Sequence, residues 1–224
     1  MAFLLRICTM PTALIIVNGL LPQPPILTDC LRQVDQIICA DGGANRACAA
    51  GIIPDVIVGD LDSITPETRA QLCTTTYLYR PSQYATDLEK TLQYAVEQHI
   101  QKALLVGMTG FRLDHQICNL HMMEKFATHL ELELHDDFGV GSFLIAPEPR
   151  SFRFETFPGQ QISLFAFRKT AGIHTTGLKY PLKGESLTWA VRDGLSNEAL
   201  HTEITIQITQ GSLFCYRVRQ LKSC

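Results

Sequence analysis

Gln36-Ile37-Ile38-Cys39-Ala40-Asp41-Gly42-Gly43-Ala44-Asn45-Arg46-Ala47-Cys48-Ala49-Ala50 is the stretch that decides the fold. An apolar run with no polar alternation ends on an acid and two glycines, and an Ala-rich stretch follows. A strand buried on both faces reads as such a continuous run, and paired glycines at its end let the chain turn straight into a helix. The same grammar recurs on either side. Apolar runs at 13–17, 36–40, 55–58, 76–79, 103–106 and 130–135 alternate with helical stretches near 24–33, 43–50, 66–73, 86–99 and 114–127. This alternation predicts an α/β domain, a parallel sheet flanked by helices on both faces.

The grammar changes after Pro147-Glu148-Pro149. Phe152 and Phe154; Ile162, Leu164 and Ala166; Ile204, Ile206 and Ile208; and Leu213 and Cys215 recur with period two, the mark of half-buried strands. Turn signals at Pro158-Gly159, Ala171-Gly172, Gly177, Lys183-Gly184, Asp193-Gly194 and Gln210-Gly211 separate them. Residues 148–224 therefore read as a small all-β sandwich domain behind an α/β domain of residues 1–147.

Composition narrows the partners. The 224 residues are 46% hydrophobic, with 19 basic and 22 acidic side chains for a formal charge of −3 and no basic run to follow a phosphate backbone. Nucleic acid is excluded as the expected partner. The start, Met1-Ala2-Phe3-Leu4-Leu5-Arg6, lacks a basic region ahead of its apolar residues and leads into the first strand, so it does not read as a secretion signal. No apolar run reaches the 18 or so residues that a membrane span needs, because Asn18, Asp29, Asp41 and Asp60 interrupt them. The eight cysteines, at 8, 30, 39, 48, 73, 118, 215 and 224, contain no C-x-x-C pair and read as reduced thiols of a cytoplasmic protein.

Polar residues of the first domain collect where strands end and helices begin, the edge at which open parallel sheets bind ligands. The first station is Asp41-Gly42-Gly43-Ala44-Asn45, which is either a tight turn or a place where backbone approaches an anion. The second is Gly59-Asp60-Leu61-Asp62-Ser63, where two carboxylates two residues apart call for a hard cation such as Mg²⁺. In the third, Gln83-Tyr84-Ala85-Thr86-Asp87-Leu88-Glu89, the T-x-x-E capping box of Thr86 and Glu89 puts Asp87 in the first helical turn at the same edge. The fourth is Gly107-Met108-Thr109-Gly110-Phe111-Arg112-Leu113-Asp114-His115, in which Arg112 can clamp a phosphate. On the helix that follows, His115 and Asn119 share one face, while Leu113, Ile117, Leu120 and Phe126 mark the apolar side. An acidic, Gly-rich rim with an Arg, and without a nucleophile set beside a base, fits phosphoryl transfer better than acyl transfer.

Taken in order, these motifs resemble the thiamine pyrophosphokinase family, and the resemblance spans nearly the whole chain. Asp41-Gly42-Gly43-Ala44-Asn45, Pro54-Asp55 with Gly59-Asp60-Leu61-Asp62-Ser63, Thr86-Asp87, and Gly110 with Arg112-Leu113-Asp114-His115 fall in the family's order. In the second domain, Thr176-Gly177-Leu178-Lys179-Tyr180-Pro181-Leu182 and Gly194-Leu195-Ser196-Asn197-Glu198 are similar to its β-domain signatures. The resemblance implies transfer of the diphosphate of ATP to the hydroxyethyl group of thiamine, giving thiamine diphosphate and AMP. It implies a homodimer, with thiamine held between the first domain of one subunit and the second domain of the other.

Carried over residue by residue, Asp60, Asp62 and Asp87 are expected to hold Mg²⁺ and the diphosphate, with Asp41, Gly42, Gly43 and Asn45 near the nucleotide. Gln83, Thr86, Arg112, Asp114 and His115 would line the diphosphate and thiamine cleft. Tyr180 would stack on the aminopyrimidine ring, and Ser196 and Asn197 would hydrogen-bond it. Asp87 and Asp114 are the candidates for a catalytic base. The chain departs from the family at Tyr84, where an acid is usual, and at Phe111, where a second glycine is usual. Two rival readings stand beside this one. Asp60-Leu61-Asp62-Ser63 imitates the D-x-D motif of a haloacid dehalogenase phosphatase, and a non-catalytic nucleotide- or thiamine-binding module would keep the fold without turnover.

Overall fold

The structure is a computed structural model and describes residues 11–220. The Met1–Arg6 stretch, Cys8 and Cys224 lie outside the described residues. The described residues form two compact units, one of residues 11–111 with 129–131 and the other of 112–128 with 132–220.

The first unit holds β1 (Thr12–Ile16), α1 (Pro24–Leu31), β2 (Gln36–Ala40), α2 (Gly43–Ala49), β3 (Val56–Gly59), α3 (Pro66–Gln71), β4 (Thr76–Tyr79), α4 (Asp87–Glu97) and β5 (Lys102–Val106). These are the strands and helices that the hydrophobic runs predict, to within two or three residues at each end. The strands pair in the order β5-β1-β2-β3-β4, all parallel. Because the chain steps outward from β1 to β4 and then returns to the other side of β1, the strand order reverses between β1 and β5. That reversal is the switch point at which open α/β sheets take ligands.

Alternate residues of each strand feed opposite faces. Leu14, Ile16, Cys39, Ile57, Leu104 and Val106 form one core with Leu27 and Cys30 of α1, Ala44 and Ala47 of α2, and Leu72. The other face receives α4, which packs on β2 and β3 and buries Leu88, Leu92 and Ala95. Local chemistry starts the helices where they are needed. Pro24 opens α1 with the backbone angle that a first helical residue requires. Thr65 and Thr86 cap α3 and α4 by accepting hydrogen bonds from the N–H groups of Thr68 and Glu89, each at 3.2 Å.

The second unit holds α5 (Leu113–Phe126), β6 (Glu131–His135), β7 (Gly139–Ala146), β8 (Arg150–Glu155), β9 (Gln161–Phe165), β10 (Thr170–Thr176), β11 (Lys183–Leu187), β12 (Gly194–Glu198), β13 (Glu203–Ile208) and β14 (Gly211–Val218). Its antiparallel strands order as β12-β9-β14-β7-β6 and β11-β10-β13-β8. The inward residues Leu144, Ala146, Ile162, Leu164, Ile173, Leu187, Ile204, Ile206, Ile208, Leu213 and Cys215 fuse into one core, so the β-rich part is a sandwich.

Several details depart from the sequence reading. Strands β7, β10, β11 and β12 lack a clean apolar alternation and are not marked by it, and Lys183-Gly184, read as a turn, opens β11. Ala171-Gly172, read as a turn, lies inside β10, where the register shifts and Gly172 adopts φ +61°; the glycine marks a bulge. On α5 the expected apolar stripe fails over the first two turns. Leu113 and Ile117 are exposed, and burial begins at Met122, Met123 and Phe126, where the helix meets β7. The six described cysteines are unbridged thiols. No helix among the described residues is long and apolar enough to cross a membrane.

Candidate active site

Three carboxylates meet at one edge of the parallel sheet. Asp41 follows β2, Asp60 follows β3 and Asp87 begins α4, and each offers an oxygen within 4.8 Å of the others. The convergence follows from topology, since β2 and β3 are adjacent strands that end together and α4 packs on both of them.

Asp41 is the most constrained member. It is 1% exposed and sits at φ +38°, an uncommon backbone state for a residue with a side chain. Its N–H donates to the Val58 carbonyl (2.9 Å), and its Oδ2 accepts from the Ser63 N–H (3.3 Å). Its Oδ1 is buried without a hydrogen-bond partner, an arrangement that folded chains rarely tolerate unless something else satisfies the atom. Burial raises the Asp41 pKa, hydrogen bonds from Ser63 act against that, and the charges of Asp87 and Asp60 add to the rise.

Gly59 permits this approach. A Cβ placed there would lie 2.6 Å from the Asp41 Cβ, too close for two carbon atoms. The glycines of the first station serve the same kind of internal fit. A Cβ on Gly42 would meet Asn18 Nδ2 at 2.4 Å, and one on Gly43 would meet the Ile16 carbonyl oxygen at 2.2 Å.

Lys90 completes the cluster, and the sequence reading missed it. Its Nζ donates to Asp87 Oδ1 at 2.9 Å and to Asp60 Oδ2 at 3.2 Å, while the side chain is only 5% exposed. Burial opposes ionisation of both Asp60 and Lys90, but their partners outweigh it. The hydrogen bond and charge of Lys90, with hydrogen bonding from Asp62, lower the Asp60 pKa, and the hydrogen bond and charge of Asp87, followed by those of Asp60, raise the Lys90 pKa. The signal was present in the sequence, since a Lys three residues after an Asp on a helix lies on the same face one turn on.

Other predicted residues separate by role. Asp62 is outside the trio; it is exposed, and its side chain accepts from the Ser63 hydroxyl at 3.1 Å. Asn45 uses both ends of its amide on the β3–α3 loop, donating to the Ser63 carbonyl (2.8 Å) and accepting from the Thr65 N–H (3.1 Å). Gln83 and Tyr84 are exposed in the segment that leads to Thr86, whose hydroxyl is engaged in capping α4. Phe111 carries the Arg46 guanidinium over its ring at 4.9 Å, and Arg46 also donates to Asn18 Oδ1 at 3.2 Å.

In the second unit, Arg112 grips Asp114 through two parallel hydrogen bonds of 3.1 and 2.6 Å, and the His115 N–H adds a third to the same carboxylate at 3.0 Å. The Arg112 hydrogen bond leads the effects that hold the Asp114 pKa at about 2, so the group is a weak base at neutral pH. His115 is exposed. Elsewhere in that unit, Asn197 is buried and ties two segments together. Its Oδ1 accepts from the N–H groups of Tyr180 (3.1 Å) and Glu198 (2.9 Å), and its Nδ2 donates to the Tyr180 carbonyl (2.7 Å). The Tyr180 ring stands 65% exposed on this clamp, flanked by Lys179 at 5.9 Å. Ser196, at φ +54°, is exposed beside it, with its N–H bonded to Ser163 Oγ at 3.0 Å.

With this geometry in hand, comparison with known proteins gives a consistent answer. Residues 27–134 match the thiamin pyrophosphokinase catalytic domain, and residues 141–216 match the thiamin pyrophosphokinase substrate-binding domain. The chain belongs to the thiamin pyrophosphokinase family. It is similar to a thiamine pyrophosphokinase of Bacillus subtilis, with 28% identity over 219 residues that cover 93% of this chain and 99% of the relative. It is also similar to thiamine pyrophosphokinase 1 of Oryza sativa subsp. japonica, with 28% identity covering 89% of this chain and 84% of that one. The crystal structure of the Bacillus subtilis thiamine pyrophosphokinase superposes with a TM-score of 0.79 at 27% identity, covering 94% of this chain and all of that one.

Gly59 gives a direct test of the local packing. Gly59→Ala drives a methyl group into Asp41, and overpacking of this kind costs about 1–3 kcal/mol of folding stability. Urea unfolding of the variant measures it, and stability equal to the parent contradicts the close approach.

Proposed function

We propose that this chain is a thiamine pyrophosphokinase that transfers the diphosphate of ATP to the hydroxyethyl group of thiamine, giving thiamine diphosphate and AMP. The observation that carries the reading is the convergence of Asp41, Asp60 and Asp87 at the ligand-binding edge of the sheet, in a chain whose two halves match the two domains of one kinase family.

The acidic trio suits Mg²⁺. Its donors are all carboxylate oxygens, the hard ligands that Mg²⁺ takes, and the orphaned Asp41 Oδ1 is an atom that a cation would satisfy. Asp60 and Asp87 would hold the ion, with Asp41 on the buried side and Asp62 at the outer rim. An ion held there would supply charge neutralisation of the phosphate oxygens.

The chain's own groups supply the rest through placement more than covalent chemistry, since orienting two reactants can provide about 7–11 kcal/mol of a barrier. Arg112 presents a planar fork suited to phosphate oxygens, and Asp114 orients that fork. The Asp114 carboxylate is already engaged by Arg112 and by the His115 N–H, so in this reading it serves as the partner that orients Arg112. Tyr180 offers its exposed electron-rich face to the cationic heterocycle, with the Ser196 hydroxyl as a polar contact. Most of the Asn197 amide is already committed, so it acts by fixing the Tyr180 backbone.

ATP is the co-substrate in this reading. The working form is a homodimer, which sedimentation at twice the 25.0 kDa chain mass checks and a monomer under assay conditions contradicts. The unbridged, scattered cysteines favour a cytoplasmic address.

The activity test mixes purified protein, ATP, MgCl₂ and thiamine, with thiamine omitted as the control, and resolves products by chromatography. Equal amounts of AMP and thiamine diphosphate are expected, with kcat/KM lowered at least about a hundredfold in Asp60→Asn and in Asp87→Asn. Free phosphate released without thiamine, or full activity in both variants, contradicts the reading.

A further inference from the structure

Three carboxylates with oxygens inside 4.8 Å repel one another strongly unless positive charge is placed among them. The fold places one such charge already. Lys90 sits a single helical turn beyond Asp87, and its ammonium turns back to Asp87 Oδ1 (2.9 Å) and across to Asp60 Oδ2 (3.2 Å) at the end of the neighbouring strand. At 5% exposure it is not a surface ion pair, because a lysine is buried to this extent almost only when its charge is partnered. No hydrogen bond or ion pair joins it to Asp41, whose Oδ1 has no partner.

We propose that Lys90 is a positioning residue whose ammonium is the built-in counter-cation of this site, fixing Asp60 and Asp87 and leaving the trio a net charge that one divalent cation balances. The proposal rests on reading the trio as the Mg²⁺ site. Three carboxylates and one ammonium carry two net negative charges. The orphaned Asp41 oxygen marks the side on which the second cation is still needed. Lys90 thus has opposing effects on the metal. It preorganises two of the ligands, and it weakens the ion's binding by occupying part of their negative charge.

The two effects come apart in Lys90→Met, which keeps the length and packing of the stem while removing the charge, compared with Lys90→Arg, which restores charge. Calorimetric melting in EDTA and in rising MgCl₂, Mg²⁺ titration without nucleotide, and separate kcat and KM values for Mg-ATP form one set of measurements. Lys90→Met is expected to melt below the parent in EDTA, to regain most of that deficit in saturating MgCl₂, and to bind Mg²⁺ about tenfold more tightly while kcat falls. Lys90→Arg is expected to bind Mg²⁺ as the parent does. A melting deficit that MgCl₂ leaves unchanged, failure of Lys90→Met to fold even in saturating MgCl₂, unchanged or weaker Mg²⁺ binding in Lys90→Met, or Lys90→Arg behaving like Lys90→Met each overturn the proposal. Absence of Mg²⁺ binding by the parent protein overturns instead the metal reading on which it stands.

Discussion

The cost of holding three like charges together is the constraint around which the first unit is built. Adjacent parallel strands end side by side, so acids placed just after β2 and β3 meet as a matter of register, and a helix crossing both strands brings in a third. Each neighbour then solves part of the electrostatic problem. Gly59 removes the side chain that would keep Asp41 away, Ser63 donates to one oxygen of Asp41, and Lys90 bridges the other two acids. What the protein leaves unsolved, the bare Oδ1 of Asp41, defines where a ligand is wanted.

Around that point the loops are braced by side chains that a motif search would assign to the ligand. Asn45 staples the loop after β3 to α2, and Arg69 donates to the Leu61 carbonyl at 2.9 Å, where the backbone is in the left-handed state at φ +65°. In the second unit Asn197 does the same for Tyr180. Rigid support of this kind is what an active site requires if its exposed groups are to be ready in place before the substrate arrives.

The α/β unit was legible because its inner strands β1, β2, β3 and β5 are largely buried on both faces and read as continuous apolar runs, set apart from the longer helical stretches between them; the edge strand β4 is only half-buried. The β unit was legible where residues alternate, as at Ile204, Ile206 and Ile208, and illegible at β7, whose small and apolar residues do not alternate cleanly. Leu113 and Ile117 misled for a different reason: an apolar period says that a face can be buried, and only the tertiary context decides whether it is. Among site residues, the stations at Asp41, Asp60 and Asp87 could be found from their position after strands and at a helix start. Their distances could not, and so the exclusion of Asp62 from the trio and the inclusion of Asp41 came only with the fold. Lys90 was overlooked because a lysine on a helix is usually a solvated one, and nothing local says that its ammonium will be enclosed.

The most direct test of the account is a crystal of the protein grown with MnCl₂ and a non-hydrolysable ATP analogue, with the metal located by its anomalous scattering. The account predicts a peak held by the carboxylates of Asp60 and Asp87, beside Asp41. A peak remote from both carboxylates, or nucleotide bound with no metal between it and the trio, would contradict it.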